Sequence, residues 1–175
     1  MSGRSTGRTG TSEGADRPGG PELELFHLLR AVTVEYGLRQ AEFAAANGMH
    51  PTDVRALICL LDAERAGTEA TAGMLAARLG LNSAGTTAAL DRLELQGLIT
   101  RHRDKRDRRR VLLVIEDRAK DLGWSWFGPL IERTVAPLRG YDRQQTDAVR
   151  GFLQAALDAL GRPEAPGEQR TGRHD

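Results

Sequence analysis

GLNSAGTTAALDRLELQGLITRHRDKRDRRRVLLVI, Gly80–Ile115, is the stretch that decides the fold of this 175-residue chain. Asn82 or Ser83 stands where a helix needs its N-cap, a short side-chain oxygen that accepts from an amide left open in the first turn. Thr86, Ala89, Leu90 and Leu93 recur at i+3 and i+4 and mark a core-facing stripe. Ser83, Ala84, Thr87 and Ala88 then fall on the opposite, solvent-facing side. Gly97 closes the helix. Leu98–Arg103 and Arg108–Ile115 read as two strands, joined by a turn at Asp104–Asp107, where Asp side chains bond nearby backbone amides. Asp104 and Asp107 are also placed to brace neighbouring arginines. A helix running into a basic hairpin is the arrangement of a winged helix-turn-helix, whose helix and hairpin address two grooves of a duplex at once.

Outward from this stretch the pattern is helical on both sides. Leu25, Leu29, Val32, Tyr36 and Phe43 recur at helical spacing from Pro21 to the Asn47-Gly48 stop signal. A second helix starts at His50-Pro51-Thr52, with Thr52 expected as its N-cap. Its expected buried stripe is Val54, Leu57, Ile58 and Leu61, and Gly67 ends it. Thr71 reads as the N-cap of a short third helix whose core residues are Leu75 and Leu79. After Asp117, Trp124, Phe127, Ile131, Val135 and Leu138 form one apolar stripe and Leu122, Trp126 and Leu130 another. Gly128-Pro129 predicts a kink there. Asp142 and Gln145 have the spacing of a capping box. They open a last helix striped by Val149, Phe152, Leu153, Leu157 and Leu160.

The expected fold is therefore mainly α with a small β-hairpin wing (α+β). A winged helix-turn-helix core at about 52–115 is flanked by helices at 21–47 and 117–160. The flanking helices are apolar on more than one face, which predicts a homodimer. Residues 1–20 and 161–175 are rich in Gly, Ser, Thr, Pro and charge and poor in apolar residues, and are expected to be disordered tails.

Composition narrows the function. The net charge is only +1, so any nucleic-acid footprint is local. Seven of the ten residues Arg101–Arg110 are Arg or Lys, and their place between two strands argues against a merely solvated loop. No membrane-spanning stretch or hydrophobic leader is evident, and the single cysteine, Cys59, permits no intrachain disulfide. Both point to the cytoplasm. Cys59 sits among Leu57, Ile58, Leu60 and Leu61 and reads as a small buried hydrophobe, which makes a thiol-based redox sensor the weaker alternative. The four histidines have no second ligand at metal spacing, and no phosphate loop, nucleophile elbow or metal pair is present. No metal, cofactor or enzymatic activity is expected.

At LAARLGLNSAGTTAALDRLELQGLITRHRDKRDRRRVLLV, Leu75–Val114, the chain resembles the MarR family of bacterial transcription regulators. The Asp91-Arg92-Leu93-Glu94 run, the Gly97-Leu98-Ile99 exit and the Asp104-x-Arg106-Asp107-Arg108-Arg109 wing tip carry the likeness. Phe127-Gly128-Pro129-Leu130 is similar to a subset of such regulators. The resemblance implies a homodimer on a pseudo-palindromic operator, often a repressor released by a small aromatic or phenolic ligand. A ligand-independent or activating winged-helix protein is the alternative. The expected DNA-contacting set is Thr71, Ser83, Ala84, Thr86, Thr87, Ala88 and Arg92, with Arg103, Lys105, Arg106, Arg108 and Arg109 in the wing. Arg92 has a second reading, as the partner of an acidic residue. His27, Tyr36, Trp124 and Phe127 would border a ligand pocket; ordinary helix packing is the alternative. Many relatives carry a longer polar or basic residue at the position of Ala88 and a β-branched apolar one at Thr86. Base readout by the helix is accordingly expected to be thin, with more affinity from wing and phosphate contacts.

Overall fold

The computed structural model describes residues 20–107 and 110–161. The two tail expectations fall outside it, apart from Gly20, which precedes the first helix, and Gly161, which ends the last. In chain order the elements are α1 (Pro21–Ala46), α2 (Pro51–Arg65), α3 (Ala72–Leu79), α4 (Ser83–Leu95), β1 (Ile99–Arg103), β2 (Val111–Ile115), α5 (Asp117–Val135), a 3-10 turn (Ala136–Gly140) and α6 (Arg143–Gly161). This is the expected mainly helical fold with one two-stranded antiparallel sheet. The chain forms two compact units, one ending at Ala119 and one starting at Lys120.

In the first unit α1 packs on α2 through its C-terminal end, where Phe43 and Ala44 are buried. Gly48, at φ +61, lets the chain leave α1 in a left-handed conformation and turn into α2. The cap of α2 differs from the expectation. His50, not Thr52, is the N-cap: its Nδ1 accepts from Thr52 N at 3.1 Å, and Asp53 Oδ2 accepts from His50 N at 3.2 Å. Pro51 explains the shift, because proline has φ preset for the first helical position and no N–H to satisfy there. Thr52 is buried instead.

The inner face of α2 is also rotated from the expected one. Val54 and Leu57 are buried as anticipated, but Ile58 and Leu61 are only half-buried. Leu60, Ala56, Cys59 and Ala63 take the inner positions. Four elements, α1, α3, α4 and β2, crowd this helix, and small side chains allow that approach.

Thr71 caps α3 through Met74 N (3.2 Å), and Asn82 caps α4 through Gly85 N (2.8 Å). The stripe Thr86, Ala89, Leu90 and Leu93 is buried as the spacing requires. Leu60, Leu75, Leu93, Leu98 and Ile99 form the centre of the core. Asp53 is the buried charge within it, 1% exposed. Its carboxylate accepts from Arg92 Nε at 2.9 Å and Arg92 Nη2 at 2.6 Å, a two-pronged bond from the start of α2 to the body of α4.

The hairpin pairs Ile99 with Ile115 and Arg103 with Val111 at its two ends. β2 begins at Val111, three residues later than expected. Asp104 N donates to Arg110 O and Arg110 N to Asp107 O, which ties Arg110 to Asp104 and Asp107 at the turn. On its other edge β2 meets the start of α3: Leu113 N donates to Ala70 O at 2.9 Å, and Thr71 bridges Leu112.

In the second unit α5 continues helically past Pro129 to Val135, although proline offers no amide to the ladder. Gly128 has a packing role. A Cβ there would lie 3.2 Å from the Trp124 ring, so the glycine makes room for the indole one turn back. The Asp142–Gln145 capping box forms reciprocally, at 2.9 and 2.8 Å. No residue of α6 is buried within the chain.

Arg92→Ala strands a buried carboxylate. With the half-exposed position of Arg92 taken into account, unfolding stability in urea is expected to fall by about 2–3 kcal/mol at unchanged m. A loss below about 0.5 kcal/mol, within the range of ordinary surface substitutions, would mean that the pair does not hold α4.

Candidate nucleic-acid interface

The exposed start of α4 carries Ser83, Ala84, Thr87 and Ala88, all four in solvent as expected. These side chains are small, and the helix N-terminus behind them presents partial positive charge, which suits close approach to a phosphate backbone. Thr86 corrects the sequence reading. It is 5% exposed, and its hydroxyl donates to Asn82 O at 2.9 Å. The same spacing that places it in the core stripe removes it from any surface contact.

Arg92 resolves toward its second reading. Nε and Nη2 are both engaged by Asp53, and that bonding raises the guanidinium's already high pKa. It orients α4 instead of presenting an unpaired charge. Thr71 is half-buried, with its hydroxyl oxygen accepting from Met74 N as the N-cap of α3.

The basic hairpin divides into two sets. Arg101 pairs with Asp91 at 2.6 Å and Glu94 at 3.3 Å on α4. Arg110 pairs with Glu69 at 2.9 Å, on the loop before α3, and with Asp104 at 3.3 Å. These two arginines fasten the wing to the body. Arg103, Lys105 and Arg106 are exposed and form no ion pair among the described residues. Arg108 and Arg109, also expected in the contact set, lie outside the described residues.

Asp104 shapes the turn between them. It is buried, accepts from Arg106 N at 2.7 Å and faces the Arg110 guanidinium. The Arg106 backbone amide, with further help from Asp107 N and Arg110, holds its carboxyl below the usual carboxylate range. The aspartates of the turn were legible as turn formers. The Glu69–Arg110 pair was not, because its partners lie 41 residues apart. Asp53 was missed too; its one sequence signal is its place three residues after His50.

The expected pocket residues lie on two elements. His27 and Tyr36 are exposed on α1 in the first unit, and on α5 in the second Trp124 is exposed and Phe127 half-buried. Cys59 is buried, and burial pushes its thiol pKa up, away from the reactive thiolate. Among the described residues no group of three metal-ligating side chains occurs, and no helix is long and apolar enough to cross a membrane.

The MarR family model matches residues 47–110, the segment from the start of α2 to the wing. A Bacillus subtilis relative, the uncharacterized HTH-type transcriptional regulator YcgE, is 33% identical over 138 residues, 79% of this chain and 85% of its own. The chain belongs to the MarR family. Among solved structures, a MepR mutant from a multidrug-resistant S. aureus clinical isolate superposes with a TM-score of 0.65 at 17% identity, over 78% of this chain and 96% of that one. A MarR-family regulator from Silicibacter pomeroyi gives 0.59 at 19%, over 83% and 96%. A MepR–DNA complex from S. aureus gives 0.54 at 17%, over 81% and 99%. At these identities the structures attest the fold. Family and fold together are those of DNA-binding transcriptional regulators and not of enzymes.

Because the Asp104 pKa is lowered on folding, its contribution is present above the unfolded value near 3.8 and is lost as pH falls toward the folded value. The Arg106 amide is expected to be protected from hydrogen exchange at neutral pH and to lose protection in acid. In Asp104→Asn that protection is already weakened at neutral pH. Equal protection in both proteins across the range would contradict this role. Alkylation of Cys59 by iodoacetamide at neutral pH is expected to run at least about tenfold slower in the folded than in the urea-unfolded protein; similar rates would revive the redox alternative.

Proposed function

We propose that this MarR-family protein binds a pseudo-palindromic operator as a homodimer and represses transcription in the bacterial cytoplasm. The observation that carries this reading is the pairing of an exposed, small-residue start of α4 with a wing whose Arg103, Lys105 and Arg106 side chains are exposed. In it, α4 enters the major groove. Thr87 meets a base edge or a thymine methyl, and Ser83 bonds a phosphate or base. The wing cations, together with Arg108 and Arg109, flank the minor groove, whose narrow A·T stretches concentrate negative potential. Ala84 and Ala88 add contact surface but no hydrogen bonds.

The homodimer reading is supported by apolar side chains left in water by the single chain. Val32 on α1 is 62% exposed, and Leu157 and Leu160 on α6 are 64% and 77% exposed. Large apolar side chains left exposed on helices support an interface reading. The helices at 21–47 and 117–160 are thus assigned to dimerisation and the 52–115 segment to DNA. An aromatic or phenolic effector read by His27, Tyr36, Trp124 and Phe127 is the ligand part of the same proposal. Exposed Trp124 supplies its fluorescence readout.

Anisotropy of labelled DNA from upstream of the encoding gene, against a scrambled duplex at several salt concentrations, tests the proposal. Preference for the native duplex with a steep salt slope is expected. Arg106→Ala or Lys105→Ala is expected to weaken binding to both duplexes and to reduce the slope by about one phosphate contact. Unchanged affinity in both variants would remove the wing assignment. Leu157→Glu is expected to sediment as a monomer and to lose operator binding; a dimeric variant would move the interface off α6.

A further inference from the structure

Thr100 and His102 alternate with Arg101 and Arg103 along β1, so their side chains leave the hairpin on the other face. The Thr100 hydroxyl donates to Glu116 Oε1 at 2.7 Å, and Thr100 Oγ1 lies 2.9 Å from His102 Nε2. Glu116 follows β2, and its amide donates to Leu98 O at 3.0 Å, which fixes the base of this chain of contacts. Thr100 and Glu116 are half-buried, and His102 is exposed. A hydroxyl has one hydrogen. Because that of Thr100 is directed at Glu116, only lone pairs face the ring, so His102 Nε2 carries a proton and donates. Nδ1 is then the ring nitrogen left for a partner outside the chain. It is an acceptor in the neutral ring and a donor in the imidazolium.

We propose that His102 is a further contact of the wing with the phosphate backbone of a duplex, and that it takes up a proton from solvent as the duplex binds. The contact rests on the operator-binding reading above. A phosphate oxygen only accepts hydrogen bonds, so it meets Nδ1 favourably when Nδ1 is protonated. Imidazoles as a class change charge between roughly pH 5 and pH 8, where an approaching anion can hold that proton in place. Arg103 and His102 leave adjacent positions of β1 on opposite faces, so a ribbon seated in a groove turns one cation toward each wall. Thr100 and Glu116 are positioning residues: they hold the ring and determine which nitrogen faces outward.

The charges around the ring are mixed. Glu116 stands behind Thr100, and Asp104, two residues on, is paired with Arg110. Arg101 and Arg103 are the neighbours along β1, and Arg101 is turned to Asp91 and Glu94 of α4. Leu112 and Val114, which face His102 and Thr100 on β2, are uncharged. Beyond that strand, Glu64 of α2 borders it and Glu69 is held by Arg110. A duplex adds several phosphates to this set at once, and the added negative charge favours the imidazolium.

Operator affinity measured by anisotropy at fixed salt, from about pH 8 to about pH 5.5, tests the contact across the imidazole range. A rise of about threefold for each wing that binds is expected as the pH falls. His102→Gln is expected to lose this rise with unchanged circular dichroism, since the replaced side chain is exposed. Thr100→Val is expected to flatten the profile, and Thr100→Ser, which keeps the hydroxyl, to restore it. Calorimetry in two buffers of different ionisation enthalpy is expected to show proton uptake on binding by the wild type and less by His102→Gln. A flat wild-type profile, or the same rise in His102→Gln, would overturn the contact while leaving the operator reading in place. Nitrogen-resolved NMR of histidine-labelled full chain, free of DNA and above the imidazole range, is expected to find the His102 proton on Nε2; a proton on Nδ1 would overturn the relay from Glu116. Failure of every protein to bind the operator at any pH would overturn the operator reading, and this contact with it.

Discussion

The buried carboxylate of Asp53 is the point on which the first unit depends. It accepts from the backbone of His50, so it helps to start α2, and from two nitrogens of Arg92, so it fixes α4. A charge taken out of water is expensive unless its lone pairs are filled, and here three donors fill them. The orientation of α4 against α2 therefore does not rest on apolar packing alone, which tolerates small slips. A two-pronged ion pair tolerates fewer, since a helix that rotates or slides breaks both bonds together. Apolar packing by Leu90 and Leu93 supplies cohesion, and the polar pair supplies register.

The same division of labour recurs in the wing. Arg101 and Arg110 reach back to acidic side chains on α4 and on the loop before α3, while Arg103, Lys105 and Arg106 stay in solvent. Each surface pair is individually weak. Acting on β1 and at the residue before β2 of a short hairpin that is also held at Leu113, they restrain an element too small to be stable alone. A run that looks in sequence like a single block of positive charge is, among its described residues, a mixture of fasteners and exposed charge.

Much of this was legible in the amino-acid sequence, for local reasons. The stripe of α4 follows from 3.6-residue periodicity, and the caps at Thr71 and Asn82 and the Asp142–Gln145 box follow from side-chain chemistry within a few residues. The expectations that needed revision involve contacts distant along the chain or competition between neighbours. Thr52 lost the cap to His50 because Pro51 sets the first turn. Ile58 and Leu61 yielded the inner face of α2 to Leu60 and the small Ala56, Cys59 and Ala63, because four elements press on it. Thr86 was assigned to both the core and the surface, and geometry allows only the first. The partners of Asp53 and Arg110 lie 39 and 41 residues away, beyond the reach of any local pattern.

The four exposed residues at the start of α4 point away from the stripe that holds the helix in place. Ser83, Ala84, Thr87 and Ala88 contribute little to the core, so they are free to be exchanged for longer or differently charged side chains at small cost to folding. On the proposed operator reading, what the helix contacts and whether the helix folds are then controlled by separate residues. A scaffold built in this way can acquire a new target by single substitutions and stay folded at every step, and the short side chains found here leave this copy closer to a blank template than to a committed one.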